Sequence, residues 1–256
     1  MTSHSGPTAK SSKSGFRANM PPPSLDTDPF DPMQAFKWGF ELFRSDPVKV
    51  ALPVIVVETV ALFVTLVAPR LACSMIRSAV EVVAPQHGLD VIGMAQHLTE
   101  TLLGIVSFAY AAACLYPYLL NLARGRAVEA TEAFRPGLHL PNALKLAAIL
   151  LLAEGLGFSL CFLPGVVVVA LTATAFPALL DHDLDPLTAL RKSFEQARAH
   201  PIPFTIFGLL CVAVTLIGAA LCIFGAILVS LPLVLLAQVF VYMRMEGEVP
   251  VGMDLT

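Results

Sequence analysis

Residues 143–180 decide the fold: they read ALKLAAILLLAEGLGFSLCFLPGVVVVALTATAFPALL and carry only two charged side chains, Lys145 and Glu154. As one helix this stretch would be about 57 Å long at ~1.5 Å per residue, nearly twice the ~30 Å hydrocarbon core of a bilayer. Two antiparallel membrane-spanning helices that meet near Cys161 fit a bilayer better than one long kinked helix. The stretch therefore predicts a transmembrane hairpin.

Apolar runs of the same kind recur along the chain. Of 256 residues, 56 % are hydrophobic and 14 % are charged, whereas soluble domains carry about 25 % charged residues. Six stretches reach the roughly 17–25 residues that a transmembrane helix needs: Val48–Ala68, Leu102–Leu122, Ala143–Leu160, Leu163–Leu180, Ile202–Ala219 and Cys222–Tyr242. We therefore predict an all-α, polytopic membrane protein with about six transmembrane helices in three hairpins, forming one membrane domain at residues 31–245.

Basic residues fall almost entirely on one side of this arrangement. Of the 16 Lys and Arg residues, only Arg70 and Arg77 lie on the other side. Because Lys and Arg accumulate in cytoplasmic loops, both termini are predicted to be cytoplasmic. The one long outer loop is then residues 69–101, whose segment 70–83 either extends the first span or lies along the interface.

The two ends of the chain lack apolar runs. Residues 1–30 are rich in Ser, Lys, Pro and Thr and contain no signal-peptide pattern, so we expect a disordered cytoplasmic tail. Residues 246–256 are predicted to form a short cytoplasmic C-terminal tail. The small negative net charge of −3 argues against a nucleic-acid partner. The expected partners are therefore the lipid bilayer and possible membrane proteins.

An internal repeat joins residues 31–47 to residues 185–201. Aligned without a gap, DPMQAFKWGFELFRSDP and DPLTALRKSFEQARAHP are identical at seven of 17 positions, and Lys37 is aligned with Arg191, which keeps the charge. In both copies an Asp suited to a helix N-cap precedes a Pro suited to the first helical position. A second Pro closes each copy and starts the next helix.

Each copy is predicted to be an amphipathic helix at the cytoplasmic interface that leads into a transmembrane hairpin. Apolar residues at helical spacing support this prediction: Met33, Phe36, Phe40 and Phe43 in the first copy, and Leu187, Leu190, Phe194 and Ala197 in the second. We expect four aromatic side chains to anchor these helices at the interface: Phe36, Trp38, Phe40 and Phe194. A degenerate third copy around residues 134–141, without the Asp-Pro cap, would lead into the second hairpin.

Several short motifs resemble a known bacterial family. They are Asn121-Leu122-Ala123-Arg124-Gly125-Arg126, Leu163-Pro164-Gly165, Leu180-Asp181-His182-Asp183 and Ala189-Leu190-Arg191-Lys192-Ser193-Phe194. Over residues 31–245 the chain is similar to the membrane domain found beside glycerophosphoryl diester phosphodiesterases. The resemblance implies a six-helix membrane domain in the cell (inner) membrane of a bacterium. It does not carry over phosphodiesterase chemistry, which in those proteins belongs to a separate soluble barrel.

Two carboxylates lie inside predicted spans, Glu58 at the centre of the first and Glu154 in the third. A charge at the bilayer centre costs at least ~2.5–3.5 kcal/mol, so such residues usually face the bundle interior or water. Glu58 and Glu154 are therefore candidates for a proton- or cation-handling site. The alternative is that each is a protonated side chain, hydrogen-bonded to a neighbouring helix.

The sequence offers no catalytic set. The run Asp181-His182-Asp183 contains metal-ligand residue types, but adjacent residues seldom converge on one ion, so helix capping is the better interpretation. Phosphate loops, nucleophile elbows and metalloprotease motifs do not occur in the sequence. We therefore expect neither an enzyme nor a bound metal or cofactor.

Two functions fit these patterns. The first is a non-enzymatic integral membrane protein that organises lipids or partner proteins at the cytoplasmic leaflet, using the amphipathic lead-in helices. The second is a small transporter or permease that uses Glu58 and Glu154, since internal repeats are common in transporters.

Overall fold

The computed structural model describes residues 31–71, 74, 88–137, 139–220 and 229–248, with the backbone alone at 88–92. The predicted tail at 1–30, most of segment 70–83, the start of the sixth span and residues 249–256 lie outside the described residues. The described part is α-helical throughout, apart from turns, one 3₁₀ turn and two π turns, and contains no strand. The predicted all-α fold is therefore confirmed.

Nine α-helices follow one another along the described chain. They are α1 (Pro32–Ser45), α2 (Pro47–Leu71), α3 (Gly88–Ala123), α4 (Leu140–Leu160), α5 (Phe162–Thr172), α6 (Ala175–His182), α7 (Pro186–Ala199), α8 (Pro201–Ala220) and α9 (Leu231–Met245). A π turn, Phe63–Val67, lies inside α2.

Five apolar segments are long enough to cross a membrane. They are Pro47–Leu71, Gly93–Ala123, Leu140–Leu160, Phe162–His182 and Pro201–Ala220. The fourth consists of α5 and α6 in series, and the shorter apolar helix α9 covers the described part of the sixth predicted span. The chain is therefore a multi-pass membrane protein. Four of the five segments begin and end within about three residues of the predicted positions. Helix α3 instead begins at Gly88, 14 residues before the predicted start at Leu102, so the last part of the predicted outer loop 69–101 is helical.

The stretch 143–180 forms a tight antiparallel hairpin rather than one kinked helix. Cys161 alone separates α4 from α5, with an extended backbone at φ −173° and ψ 161°. Four residues to either side, the two helices touch at glycines: a Cβ added to Gly157 would lie 3.0 Å from the Gly165 Cα. The absence of side chains at this contact lets the helices turn back within one residue.

Two of the spans form the centre of the bundle. In their most apolar windows, 56 % of α3 and 61 % of the α5–α6 span are buried, against 22–28 % for the other three. Helix α3 packs against α2, α4, α6 and α9, and α5 packs against α8. Spans one, three and five therefore present most of their surface to lipid.

The predicted lead-in helices have matching local structure. Both α1 and α7 are 14 residues long, and Asp31 and Asp185 accept hydrogen bonds from the first-turn amides. Both end at corners of nearly the same shape, with φ −142°, ψ 71° at Asp46 and φ −130°, ψ 63° at His200. A proline at the first position of the next helix follows each corner.

The segment that leads into α4 is different. A five-residue 3₁₀ turn, Ala130–Phe134, takes the place of the third amphipathic helix expected there. No side chain caps this turn, and Pro136 and the left-handed Gly137 (φ 61°) follow it. Without the Asp-Pro signal, the local sequence does not start a long helix.

Candidate functional site

The ends of α3, α6 and α9 meet at one end of the bundle, around Arg124. We call this the basic end, because most described Lys and Arg residues lie there. The Arg124 guanidinium donates two hydrogen bonds of 2.7 Å to the Asp181 carboxylate, and two of 2.7 and 3.0 Å to Glu248. The side chains of Arg124 and Asp181 are only 15 % and 16 % exposed. This bidentate geometry fixes three chain segments to one another.

The same group of charges extends to α7. The Tyr242 hydroxyl donates to Asp181 Oδ2 over 2.9 Å. Glu246 accepts from Lys192 Nζ at 2.8 Å and from Gln196 Nε2 at 3.2 Å. We call these residues the Arg124 network: Arg124, Asp181, Tyr242, Glu248, Glu246, Lys192 and Gln196. Because Glu246 and Glu248 belong to it, the first part of the predicted C-terminal tail is bound to the bundle.

Helix α7 also covers the break in the fourth span. Between α5 and α6 the helix is interrupted at Ala173 and Thr174. The Ser193 hydroxyl donates to the Leu171 carbonyl at 2.7 Å and accepts from the Thr174 amide at 3.3 Å. The Thr174 hydroxyl lies 2.7 Å from Gln196 Oε1. The backbone groups that the break would leave unpaired are thus satisfied by α7.

The hydrogen bonds of Arg124 determine its electrostatics. Those with Asp181, and then those with Glu248, raise the pKa of the guanidinium above its ordinary value, although burial opposes them. Arg124 therefore stays charged and is neutralised by two carboxylates. This arrangement suits a structural lock between helices.

The run Asp181-His182-Asp183 does not converge on one point. Asp181 binds Arg124, the His182 ring lies 3.3 Å from Glu246, and Asp183 lies 2.8 Å from the His139 ring. Asp183 is also the left-handed residue that ends α6, at φ 51°. Within the described ranges no group of three His, Cys, Asp or Glu residues is placed to hold a metal ion.

The two intramembrane carboxyls lie on different helices around Tyr116. Glu58 lies on α2 and Glu154 on α4, and both are within electrostatic range of the Tyr116 hydroxyl on α3. That hydroxyl donates a hydrogen bond to Gln238 Oε1 on α9. Among the described residues neither carboxyl has a hydrogen-bond or ion-pair partner, so the hydrogen bond to a neighbouring helix that the sequence suggested is absent there.

The four predicted interfacial anchors divide into two pairs. Phe36 and Trp38 are buried, 5.7 Å from the Phe207 ring and 6.0 Å from the Phe240 ring respectively. They therefore join α1 to α8 and α9 inside the bundle, whereas the sequence predicted that they would anchor α1 at the interface. Phe40 and Phe194 remain exposed, at 52 % and 47 %.

The outward faces of α1 and α7 are nearly the same. Six aligned pairs are exposed in both helices. Five are identical or chemically similar: Met33 and Leu187, Lys37 and Arg191, Phe40 and Phe194, Glu41 and Glu195, Arg44 and Arg198; the sixth is Ser45 and Ala199. The inward faces share Pro32 with Pro186 and Ala35 with Ala189, but differ at positions that contact the rest of the bundle. Trp38 is aligned with Lys192, and Gly39 with Ser193. We call the five-residue sets the outward faces.

No protein-family model, curated protein or solved structure matches this chain. The resemblance to the membrane domain of glycerophosphoryl diester phosphodiesterases therefore stays a prediction from the short motifs.

Proposed function

We propose that this multi-pass membrane protein is non-enzymatic and organises lipids, or partner proteins that lie among them, at the cytoplasmic leaflet of the cell membrane. One observation carries the proposal: α1 and α7 repeat five exposed residues of the same chemistry, although they are attached to different parts of the bundle. Packing inside the bundle does not require this similarity, because α1 packs mainly on α9 and α7 mainly on α6 and α5, although both also contact α8. A common environment outside the bundle accounts for it.

The chemistry of the outward faces suits the headgroup region of a bilayer. Each carries a half-exposed phenylalanine, with a basic residue three to four positions to either side, about one helical turn away. Aromatic rings partition to the boundary between headgroups and acyl chains, and Lys and Arg attract anionic lipid by about 1 kcal/mol each. Two such faces on one molecule would hold anionic lipids at two positions around the bundle.

Native mass spectrometry of the protein released from mixed phosphatidylglycerol and phosphatidylcholine membranes tests this proposal. Replacing Lys37 and Arg191 with Gln should lower phosphatidylglycerol retention about fivefold for each charge removed, from ~1 kcal/mol per basic residue. The matched control is Lys145→Gln with Arg126→Gln, which removes two exposed basic residues at the same end but outside the outward faces. Equal losses in both double variants would show general charge attraction and contradict the proposal.

The aromatic part of each outward face has a separate test. Replacing Phe40 and Phe194 with Asp should release α1 and α7 from the interface, because a charged side chain avoids the acyl boundary. Limited proteolysis of membranes should then cleave residues 31–47 faster than in the unaltered protein. An unchanged cleavage rate would count against an interfacial position.

A proton or small-solute transporter is the second candidate function. Its support is that Glu58 and Glu154, which are far apart in sequence, are both within electrostatic range of the Tyr116 hydroxyl. In liposomes with a pH gradient, transport that depends on them should fall in Glu58→Gln and in Glu154→Gln. Flux that survives both substitutions would exclude this role for the two carboxyls.

A further inference from the structure

A groove with two compartments runs between α2 and α3. The larger compartment has a volume of about 390 Å³ and the smaller about 230 Å³, and Ala61 and Ser107 form part of the wall of both. The larger volume alone falls within the ~300–1,000 Å³ range of small-molecule sites. The shared wall makes the two compartments neighbours along one helix pair.

The larger compartment is apolar. Its lining includes four valines of α2, Val56, Val57, Val60 and Val64, together with the rings of Tyr110 and Phe134. The Tyr110 hydroxyl donates to the Phe134 carbonyl over 3.1 Å, which fixes the 3₁₀ turn beside α3. Side chains of this kind accommodate an apolar body, and aromatic rings also attract a cation.

The smaller compartment contains a carboxyl group. Glu58 forms part of its wall, with Thr65, Ser107 and Phe108 as neighbours. Glu58 lies about 17 Å along α2 from Pro47, at ~1.5 Å per residue, and is therefore deep in the span. No described Lys, Arg or His pairs with it. A carboxylate at this depth is costly unless a cation accompanies it.

We propose that this groove binds a lipophilic cation, with its charged centre beside Glu58 and its apolar body among the valines. An inorganic cation fits less well, because the compartment offers one carboxyl and few other oxygen ligands. A neutral lipid fits less well, because it leaves Glu58 without a counter-charge. This inference is independent of the outward faces of α1 and α7.

Binding of radiolabelled tetraphenylphosphonium to the purified protein in nanodiscs, at mildly alkaline pH, tests the proposal. We expect saturable binding that Glu58→Gln weakens by about tenfold or more, since hydrogen bonds and ion pairs to a charged group contribute ~1.5–3 kcal/mol. Glu154→Gln is the matched control: it removes the other intramembrane carboxyl, which lines neither compartment. Its affinity should stay within about twofold of the unaltered protein.

A second pair of variants tests the apolar compartment without changing charge. Val60→Trp should fill the groove and abolish binding, whereas Val167→Trp, at a similarly lipid-exposed valine of α5, should have little effect. The neutral analogue triphenylphosphine oxide should not compete. Absence of saturable binding, equal losses in Glu58→Gln and Glu154→Gln, or competition by the neutral analogue would each overturn the proposal. Circular dichroism of each variant checks that the helices are retained.

Discussion

Helices α1 and α7 share their local structure but not their attachment to the bundle. Each has 14 residues, an Asp N-cap, a Pro at the start and a corner of nearly the same shape at its end. Yet α1 is attached by buried aromatic rings, whereas α7 is attached by hydrogen bonds and ion pairs. Trp38 packs against Phe240, and at the aligned position Lys192 binds Glu246.

The difference shows which part of the sequence specifies which level of structure. Caps and prolines act within a few residues, so they produce the same helix and corner in both places. The inward residues decide which neighbours the helix packs against. In the outward faces the two helices agree again, as the proposed common surroundings of the molecule would require.

Truncating the aligned pair Trp38 and Lys192 should give the largest contrast. Trp38→Ala removes a buried ring, 7 % exposed, and should lower the free energy of unfolding by about 3–5 kcal/mol. Lys192→Ala removes a partly exposed ion pair and should cost about 1 kcal/mol or less. Denaturation in mixed micelles, followed by circular dichroism, measures both. Similar costs would mean that α1 and α7 are not held by different forces.

Removing Arg124 should loosen the junction between α3, α6 and the segment that follows α9. Arg124→Ala leaves the mostly buried Asp181 carboxylate without its counter-charge and with only the Tyr242 hydroxyl as a donor, so we expect a loss of about 3 kcal/mol in the free energy of unfolding. Arg124→Lys should lose less, although a lysine cannot form the bidentate pair. Arg126→Ala is the control, since Arg126 is exposed and bonds only to Asn121 among the described residues. If Arg124→Ala and Arg126→Ala lowered the free energy of unfolding by the same amount, the Arg124 network would have no structural role.

Ser193 tests the cover that α7 provides over the break in the fourth span. Ser193→Ala removes the donor to the Leu171 carbonyl and the acceptor for the Thr174 amide in a fully buried position. We expect a loss of about 2 kcal/mol in the same unfolding experiment, since an unpaired buried polar group costs ~1–3 kcal/mol. In α1, Ser45→Ala removes an exposed hydrogen bond to the Leu42 carbonyl and should hardly change the free energy of unfolding. If Ser193→Ala left the free energy of unfolding unchanged, the backbone groups at the break would not need the Ser193 hydroxyl.

The smallest effect is expected from the charge of the α7 cap. Hydrogen bonds from Thr188, and then from the Leu187 amide, hold the pKa of Asp185 below its ordinary value. A carboxyl with a lowered pKa stabilises the folded state above its unfolded pKa, and this contribution is lost as the pH falls through the folded pKa. The difference in thermal midpoint between the unaltered protein and Asp185→Asn should therefore shrink below about pH 4. A difference that stays constant into acid would exclude the carboxylate as its source.

Local features of this fold were predictable from the sequence. The helices that start at Pro47, Pro186 and Pro201 begin within one residue of the predicted positions, because caps and prolines act over short distances. The tight turn at Cys161 was predictable for a different reason. Two full spans take up the whole of residues 143–180 and leave no residues for a loop.

Contacts between distant residues were not predictable. Arg124 is 57 residues from Asp181 and 124 from Glu248, and only the packing of the bundle brings them together. The apolar stripe of α1 did not predict which of its residues face the bundle, for another reason. Lipid and bundle core are equally apolar, so helical spacing could not show that Phe36 faces inward while Phe40 faces outward.

The one-residue turn between α4 and α5 has a consequence for how the protein enters the membrane. Cys161 and Phe162 carry no charge, so no polar loop has to be moved across the bilayer when this hairpin inserts. The two spans, already in contact at Gly157 and Gly165, are suited to partition from the translocation channel into lipid together. Assembly would then add this part of the chain as one preformed pair.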